Sequence, residues 1–210
     1  MKKIIFFLMT TEKYHDRQDN ILFSWGKDKD LYFYSEHSDE KRKVLKICDE
    51  NNVEIKQIYV FKTIKEKFHN TSEWYFFGDD DTFVNVNLLL SEIDGFDKTK
   101  IHGQDLGHGD SRCWGELHYP SGGAGFLIHN SIIHNFFDSK IFDVNIGDVS
   151  FGLNMKDKNI EIEHNDRFLS QHPSFYSISE INKYFTFHYI KSSADFKFMT
   201  ELCDNKNLTF

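Results

Sequence analysis

Proline is nearly absent, with two residues in a chain of 210. No Ser/Gly-rich run accompanies them, so nothing reads as an internal linker. Cysteine is scarce too: Cys48, Cys113 and Cys203 are odd in number and widely spaced. They fit a reducing compartment better than a disulfide framework, so a cytoplasmic location is expected. Positive charge is in deficit, 25 Lys and Arg against 33 Asp and Glu for a net charge of −8. Non-specific nucleic-acid binding relies on cations neutralising phosphates, so no nucleic-acid partner is expected. Long apolar runs are missing as well. Met1, Lys2 and Lys3 followed by residues 4–9 imitate a signal peptide, but the run is too short to span a membrane and Thr10-Thr11-Glu12 is a poor cleavage site. A first buried strand in a soluble protein without a membrane span is the better reading.

What the chain does have is aromatic residues, 16% of the total with 22 Phe. With 40% hydrophobic residues, this length suits one compact domain over residues 1–210. The organising stretch is Trp74-Tyr75-Phe76-Phe77-Gly78-Asp79-Asp80-Asp81-Thr82-Phe83-Val84. Four large apolar residues in a row read as a strand buried on both faces. Three unpaired carboxylates cannot stay inside that core, so they should emerge at the strand's C-terminal end, where open α/β sheets place their ligand crevice. Crowded like charges invite a cation, and Mg²⁺ or Mn²⁺ suits oxygen ligands best. The plainer alternative is an acidic turn that caps a following helix. A phosphatase-type Asp-x-Asp-x-Thr pattern fails, because Phe83 stands where the Thr is needed.

Around that centre, strands are expected over residues 4–9, 31–34, 100–103, 126–128, 160–162 and 184–190. Helices are expected over 14–25, 38–51 (with Val44, Leu45 and Cys48 on one face), within 58–68, near 88–93, from 129 to 137, and over 148–155. Strands alternating with helices make an α/β domain of Rossmann-like type. Residues 104–121 read as a long loop rich in Gly, His and charge, and long loops in compact domains are often functional. Its Trp114 would shape a ligand site or pack on the core as a lid. His102, His108 and His118 show no zinc spacing.

Three further motifs carry chemistry in more than one way. Gly122-Gly123-Ala124-Gly125 lacks dinucleotide or P-loop spacing; it is a tight turn, or a place where backbone N–H groups approach a ligand. Asp148 is a helix N-cap or a general base. His188 is a core histidine or a metal ligand beside Asp81.

Taken in order, these segments resemble the Fringe and core-1 galactosyltransferase group of inverting β-1,3-glycosyltransferases over nearly the whole chain. Thr10 to His15 with Trp25 looks like the opening strand and helix, and Phe61 to Lys65 precedes the central strand. Trp74 to Val84 is similar to the nucleotide-sugar signature with its Asp-x-Asp. Ser121 to Phe126 resembles the glycine-rich donor loop, Asp148 to Gly152 the segment holding the base, and Thr186 to Tyr189 the terminal metal histidine.

The resemblance implies a GT-A fold with a central mixed, mainly parallel sheet flanked by helices. It also implies a UDP-sugar donor, a glycan or glycoprotein acceptor, and Mn²⁺ or Mg²⁺. Asp81 and His188 would ligate the metal, with Asp79 holding ribose or metal water. Asp80 would lie beside the donor, as would Thr10, Thr11 and Arg17 near the uridine. Gly122, Gly123 and Ala124 would line the donor-sugar pocket, and Asp148 would be the base. Gly147 departs from relatives that carry an acid before the base. The family's membrane anchor and disulfides are not seen, so its location does not carry over. A non-catalytic sugar- or nucleotide-sugar-binding module of the same fold is the alternative, and a metal-dependent phosphoester hydrolase a third reading.

Overall fold

The computed structural model describes residues 2–107 and 117–204. The expectations for His108, Cys113 and Trp114 lie outside the described residues. Strand β1 (Lys2–Met9) leads through a short turn into helix α1 (His15–Phe23), and β2 (Leu31–Ser35) and β3 (Val44–Lys46) follow. Helix α2 (Val53–Thr63) starts at Asn52, whose side chain accepts a hydrogen bond from the Ile55 N–H, and it loosens into a π turn over Ile64–Phe68. The aromatic run is β4 (Ser72–Asp79), followed by β5 (Phe83–Val84) and α3 (Val86–Glu92). Next come β6 (Ile101–Gly103), β7 (Phe126–His129), α4 (Asn130–Ile133) and α5 (Gly147–Asp157). The chain closes with β8 (Ile162–His164), β9 (Phe168–Leu169), α6 (Ile178–Ile181), β10 (Thr186–Phe187) and α7 (Ser193–Asp204).

Seven strands form one sheet in the order β3-β2-β1-β4-β7-β6-β8. The β3-β2-β1-β4 half is parallel, as is the β6–β8 pair, whereas β7 runs against both β4 and β6. The sheet is therefore mixed and mainly parallel. Its two central strands are apolar on both faces, and the two-residue period of a strand sorts their side chains into two layers. Phe6, Leu8, Trp74 and Phe76 meet Ile21 of α1, Leu89 of α3 and Met199 of α7 on one side. Phe7, Tyr75 and Phe77 meet Phe61 of α2 and Phe151 of α5 on the other. Trp74 is completely buried, and truncating such a side chain to Ala costs about 3–5 kcal/mol.

A small second sheet, β5-β10-β9, returns the end of the chain to the acidic turn. β10 pairs Phe187 with Phe83, and the Ile190 N–H then donates to the Asp81 carbonyl at 3.0 Å. This is how a residue near the C-terminus comes to face residues in mid-chain.

Two expectations need correction. Residues 38–51 do not form a helix. Lys43 adopts φ +57°, and Val44 enters β3, where it pairs with Phe33 and is buried. The apolar pair Val44-Leu45 satisfies a short strand as well as a helix face, and the sheet edge decided between them. The last strand is also shorter than expected. Tyr189 has φ +64°, so the chain turns out of β10 directly after Phe187, which frees His188 from the ladder.

Candidate functional site

β1 and β4 lie side by side, and their outer neighbours, β2 and β7, sit on opposite flanks. The carboxyl ends of strands at such a switch point are where an α/β sheet opens a crevice. A cleft of about 250 Å³ lies there, lined by the ends of β1 and β4 with Arg17, Lys56, Asp148 and His188. The three acids emerge as β4 ends, in a turn held from two sides. The Asp79 N–H donates to Thr82 Oγ1 at 3.0 Å, and the same hydroxyl donates to the Gly123 carbonyl at 2.9 Å. The acids cap no helix, since α3 is capped by Asn85.

The acids diverge in their partners. Asp80 is 3% exposed. It accepts from Thr10 Oγ1 at 2.6 Å and from Arg17 Nη1 at 2.8 Å, and Arg17 also reaches Asp81 Oδ2 at 3.3 Å. The guanidinium stacks 3.9 Å over the Tyr14 ring, and Gln18 Nε2 donates to Thr10 Oγ1 at 2.9 Å. Asp81 Oδ1 lies 3.0 Å from His188 Nε2, and Asp79 Oδ2 lies 3.9 Å from the same nitrogen. Asp79, Asp81 and His188 each bring one ligand atom to within 4.8 Å of the others. Two carboxylates and an imidazole suit Mn²⁺, and Mg²⁺ through the carboxylates.

The electrostatics are those of a site short of positive charge. Burial, then the Asp148 carboxylate, push Asp79 up to about 7 against the pull of His188. Burial likewise pushes Asp148 up to about 6, against a hydrogen bond from the Gly122 N–H. For Asp81 burial is outweighed by the hydrogen bond and charge of His188 and the charge of Arg17, so its carboxyl lies below the usual range. Shifts of this kind in a cleft mark a functional-site candidate.

Across the cleft, the Gly122 N–H donates to Asp148 Oδ2 at 3.0 Å. Asp148 is the second residue of α5, whose N-cap is Ile146. The helix-cap reading of Asp148 is therefore set aside. The glycines are required by close approach: a Cβ on Gly122 would fall 2.5 Å from Asp148 Oδ1, and one on Gly123 would fall 2.1 Å from the His188 ring. Gly125 has φ +78° and no room beside Phe76. Gly147 has a reason as well, because a Cβ there would meet Gln57 and Val53 of α2 at 2.8 Å.

The structure thus brings Thr10, Thr11, Arg17, Asp79, Asp80, Asp81, Asp148 and His188 to one cleft. Gly122 and Gly123 stand against it, and Ala124, fully buried, lies just behind them. Sequence reasoning missed Gln18, Glu36, Asn51, Glu54 and Lys56. A signal existed for two of them. Glu54 and Lys56 sit four residues before the buried Ile58 and Val60, so they are charged positions on the buried stripe of α2. Starting that helix at residue 58 hid them.

No protein-family model matches the chain, and no curated protein matches it. Solved structures do. The chain is similar to a glycosyltransferase involved in the glycosylation of the major capsid of PBCV-1, with a TM-score of 0.56 and 14% identity over 94% of this chain and 98% of that one. The fold is of the GT-A type. The glycosyltransferase GlyE of Streptococcus pneumoniae TIGR4, in its apo form, gives a TM-score of 0.52 at 12% identity, covering 98% of this chain and 63% of that one. The galactosyltransferase LgtC, solved with donor and acceptor sugar analogs, gives 0.50 at 11% identity, covering 96% and 95%. At these identities the likeness is one of fold, and fold alone does not assign a reaction. No helix among the described residues is long and apolar enough to cross a membrane.

Proposed function

We propose that the protein is a metal-dependent glycosyltransferase. It would move a hexose or N-acetylhexosamine from a UDP-sugar to a hydroxyl of a glycan or glycoprotein, with inversion and a β-1,3 linkage as in the Fringe and core-1 group. The observation that carries this reading is the pairing of two unlike sites in one cleft. Asp79, Asp81 and His188 form a ligand set on one side, and Asp148 stands free of any cap role on the other.

Bound by Asp79, Asp81 and His188, Mn²⁺ or Mg²⁺ would neutralise charge on the departing diphosphate. The protein's own residues supply the rest. Thr10, Thr11 and Arg17 would hold the nucleotide at the end of β1, and Gly122 to Ala124 would let the donor sugar lie close to the backbone. Asp148 would take the proton from the acceptor hydroxyl as that oxygen attacks the anomeric carbon from the face opposite UDP. The Gly122 N–H fixes one carboxylate oxygen by its hydrogen bond. One displacement inverts the centre, and no covalent intermediate on the protein is needed.

The test is a thermal-shift panel of UDP and UDP-sugars with and without Mn²⁺. A ligand that binds only the folded state raises the melting temperature by mass action. A Mn²⁺-dependent shift with UDP-sugars is expected. Shifts without Mn²⁺-dependent transfer would leave the binding-module alternative, and no shift with any uridine nucleotide would overturn the donor assignment.

A further inference from the structure

We propose that Glu54 and Lys56, in the first turn of α2, are positioning residues that hold the two sides of the cleft in register. Neither touches the reacting groups assigned above. The inference rests on the transferase reading, because it gives each residue one side of that reaction.

Both are charged and almost wholly enclosed, each 1% exposed. They do not neutralise each other; each reaches to a different side. Glu54 Oε1 accepts from the Phe142 N–H at 2.6 Å and from Ser150 Oγ at 2.7 Å, and Oε2 accepts from the Asn145 N–H at 3.3 Å. These donors belong to the first turns of α5 and the segment leading into it, where Asp148 lies. Asp143 and Asn145 in that segment have φ near +55°, at +57° and +53°, and Ile146 offers no side-chain cap to α5. The start of α5 is therefore held from outside the helix, by Glu54.

Lys56 reaches the opposite way. Its Nζ donates to the Thr10 carbonyl at 2.9 Å and to Asn51 Oδ1 at 2.8 Å, and it pairs with the Glu36 carboxylate. Ser35 Oγ donates to Glu36 at 2.7 Å and to the Thr10 carbonyl at 3.0 Å. One ammonium thus ties the end of β2 to the end of β1, the strand assigned the nucleotide side of the cleft. A lysine in the first turn also opposes the helix dipole, whereas Glu54 agrees with it. A buried ion pair is weak as a source of stability and better attested as a means of fixing one arrangement. Gly147 completes the bracket, since its missing side chain lets α2 lie directly on the start of α5.

The two arms separate in steady-state kinetics. Glu54→Gln, and Ser150→Ala as a milder variant, are expected to lower kcat about ten- to hundredfold, the usual cost of losing a supporting partner, while the affinity for UDP with Mn²⁺ is kept. Lys56→Met and the milder Glu36→Gln are expected to weaken UDP binding and raise KM by about tenfold, with a smaller change in kcat. Melting curves confirm that each variant is folded. The proposal is overturned if the Glu54 arm keeps its kcat, if the Lys56 arm keeps its donor affinity, or if all four variants lose both in parallel, as general loosening would produce. Wild-type protein whose melting temperature no UDP-sugar raises in the presence of Mn²⁺ overturns the transferase reading instead, before any variant is compared.

Discussion

Asp79 and Asp80 are neighbours of identical chemistry in opposite electrical circumstances. Asp80 points to the β1 side, where Thr10 and Arg17 hydrogen-bond to it. Burial still raises its carboxyl, but these two donors work against that rise. Asp79 instead has the Asp148 carboxylate as a neighbour that raises it, and its Oδ2 lies 3.9 Å from His188 Nε2. One half of the cleft is finished by the protein's own donors. The other half has surplus negative charge that a cation or protons must balance. On the reading proposed above, the unfinished side, bounded by Asp81, His188 and Asp148, is where a cation belongs, beside a nucleotide at the end of β1.

The harshest way to break that comparison is to remove the base. Asp148→Asn keeps the shape and the Gly122 contact but cannot accept a proton. Transfer is expected to fall about 10²- to 10⁴-fold, the range for a positioned general base. Donor binding with Mn²⁺ should persist, because the carboxamide leaves Asp79, Asp81 and His188 in place. UDP release and UDP affinity measured on one preparation check both halves. An active Asp148→Asn protein would place the base elsewhere.

Asp81→Ala or His188→Ala strikes the unfinished side's ligand set. Loss of Mn²⁺-dependent UDP affinity on the order of a hundredfold, about 3 kcal/mol, is expected. Calorimetric titration of UDP with and without Mn²⁺ reads it. Unchanged affinity in both variants would remove the metal from the site.

The fold was legible wherever one residue pattern had a single physical solution. The run 74–77 reads as a doubly buried strand, and the three acids directly after it marked its C-terminal end, where the cleft lies; Asp80 and Asp81 stay buried there because Thr10, Arg17 and His188 partner them. The Gly122 to Gly125 run was ambiguous because its purpose depends on Asp148 and His188, distant in sequence but pressed against those backbones. His188 was equally undecidable by periodicity. What makes it a candidate ligand is the positive φ at Tyr189 and the Ile190 to Asp81 hydrogen bond, both products of tertiary packing. Residues 38–51 failed because a three-residue edge strand leaves no periodic signature. Glu54 and Lys56 were hidden by a helix boundary set five residues late.

The gentlest test of the comparison needs no mutation. In the metal-free protein Asp79 and Asp148 titrate at about 7 and about 6, against about 3.9 for an unfolded Asp. Their folded pKa values are raised, so the folded state binds more protons than the unfolded state between these limits. Their contribution to stability is full below about pH 4 and is lost as pH rises through 6 and 7. Asp81 has the opposite sign, but its carboxyl lies below the usual range and so does not titrate in this window. The metal-free protein should therefore melt lower at pH 8 than at pH 5.5. Solvent reaches Asp79 in the cleft, so the effect is discounted to about 1–2 kcal/mol, a shift of a few degrees for a chain of this size. Mn²⁺ should narrow the gap by raising the melting temperature more at pH 8, where both carboxylates are ionised. Asp148→Asn should narrow it without metal, by removing one of the two charges. Melting curves across pH with EDTA and with Mn²⁺ measure all of this. A metal-free protein that is more stable at pH 8 would mean that the Asp79 side, like the Asp80 side, is already balanced by the protein itself.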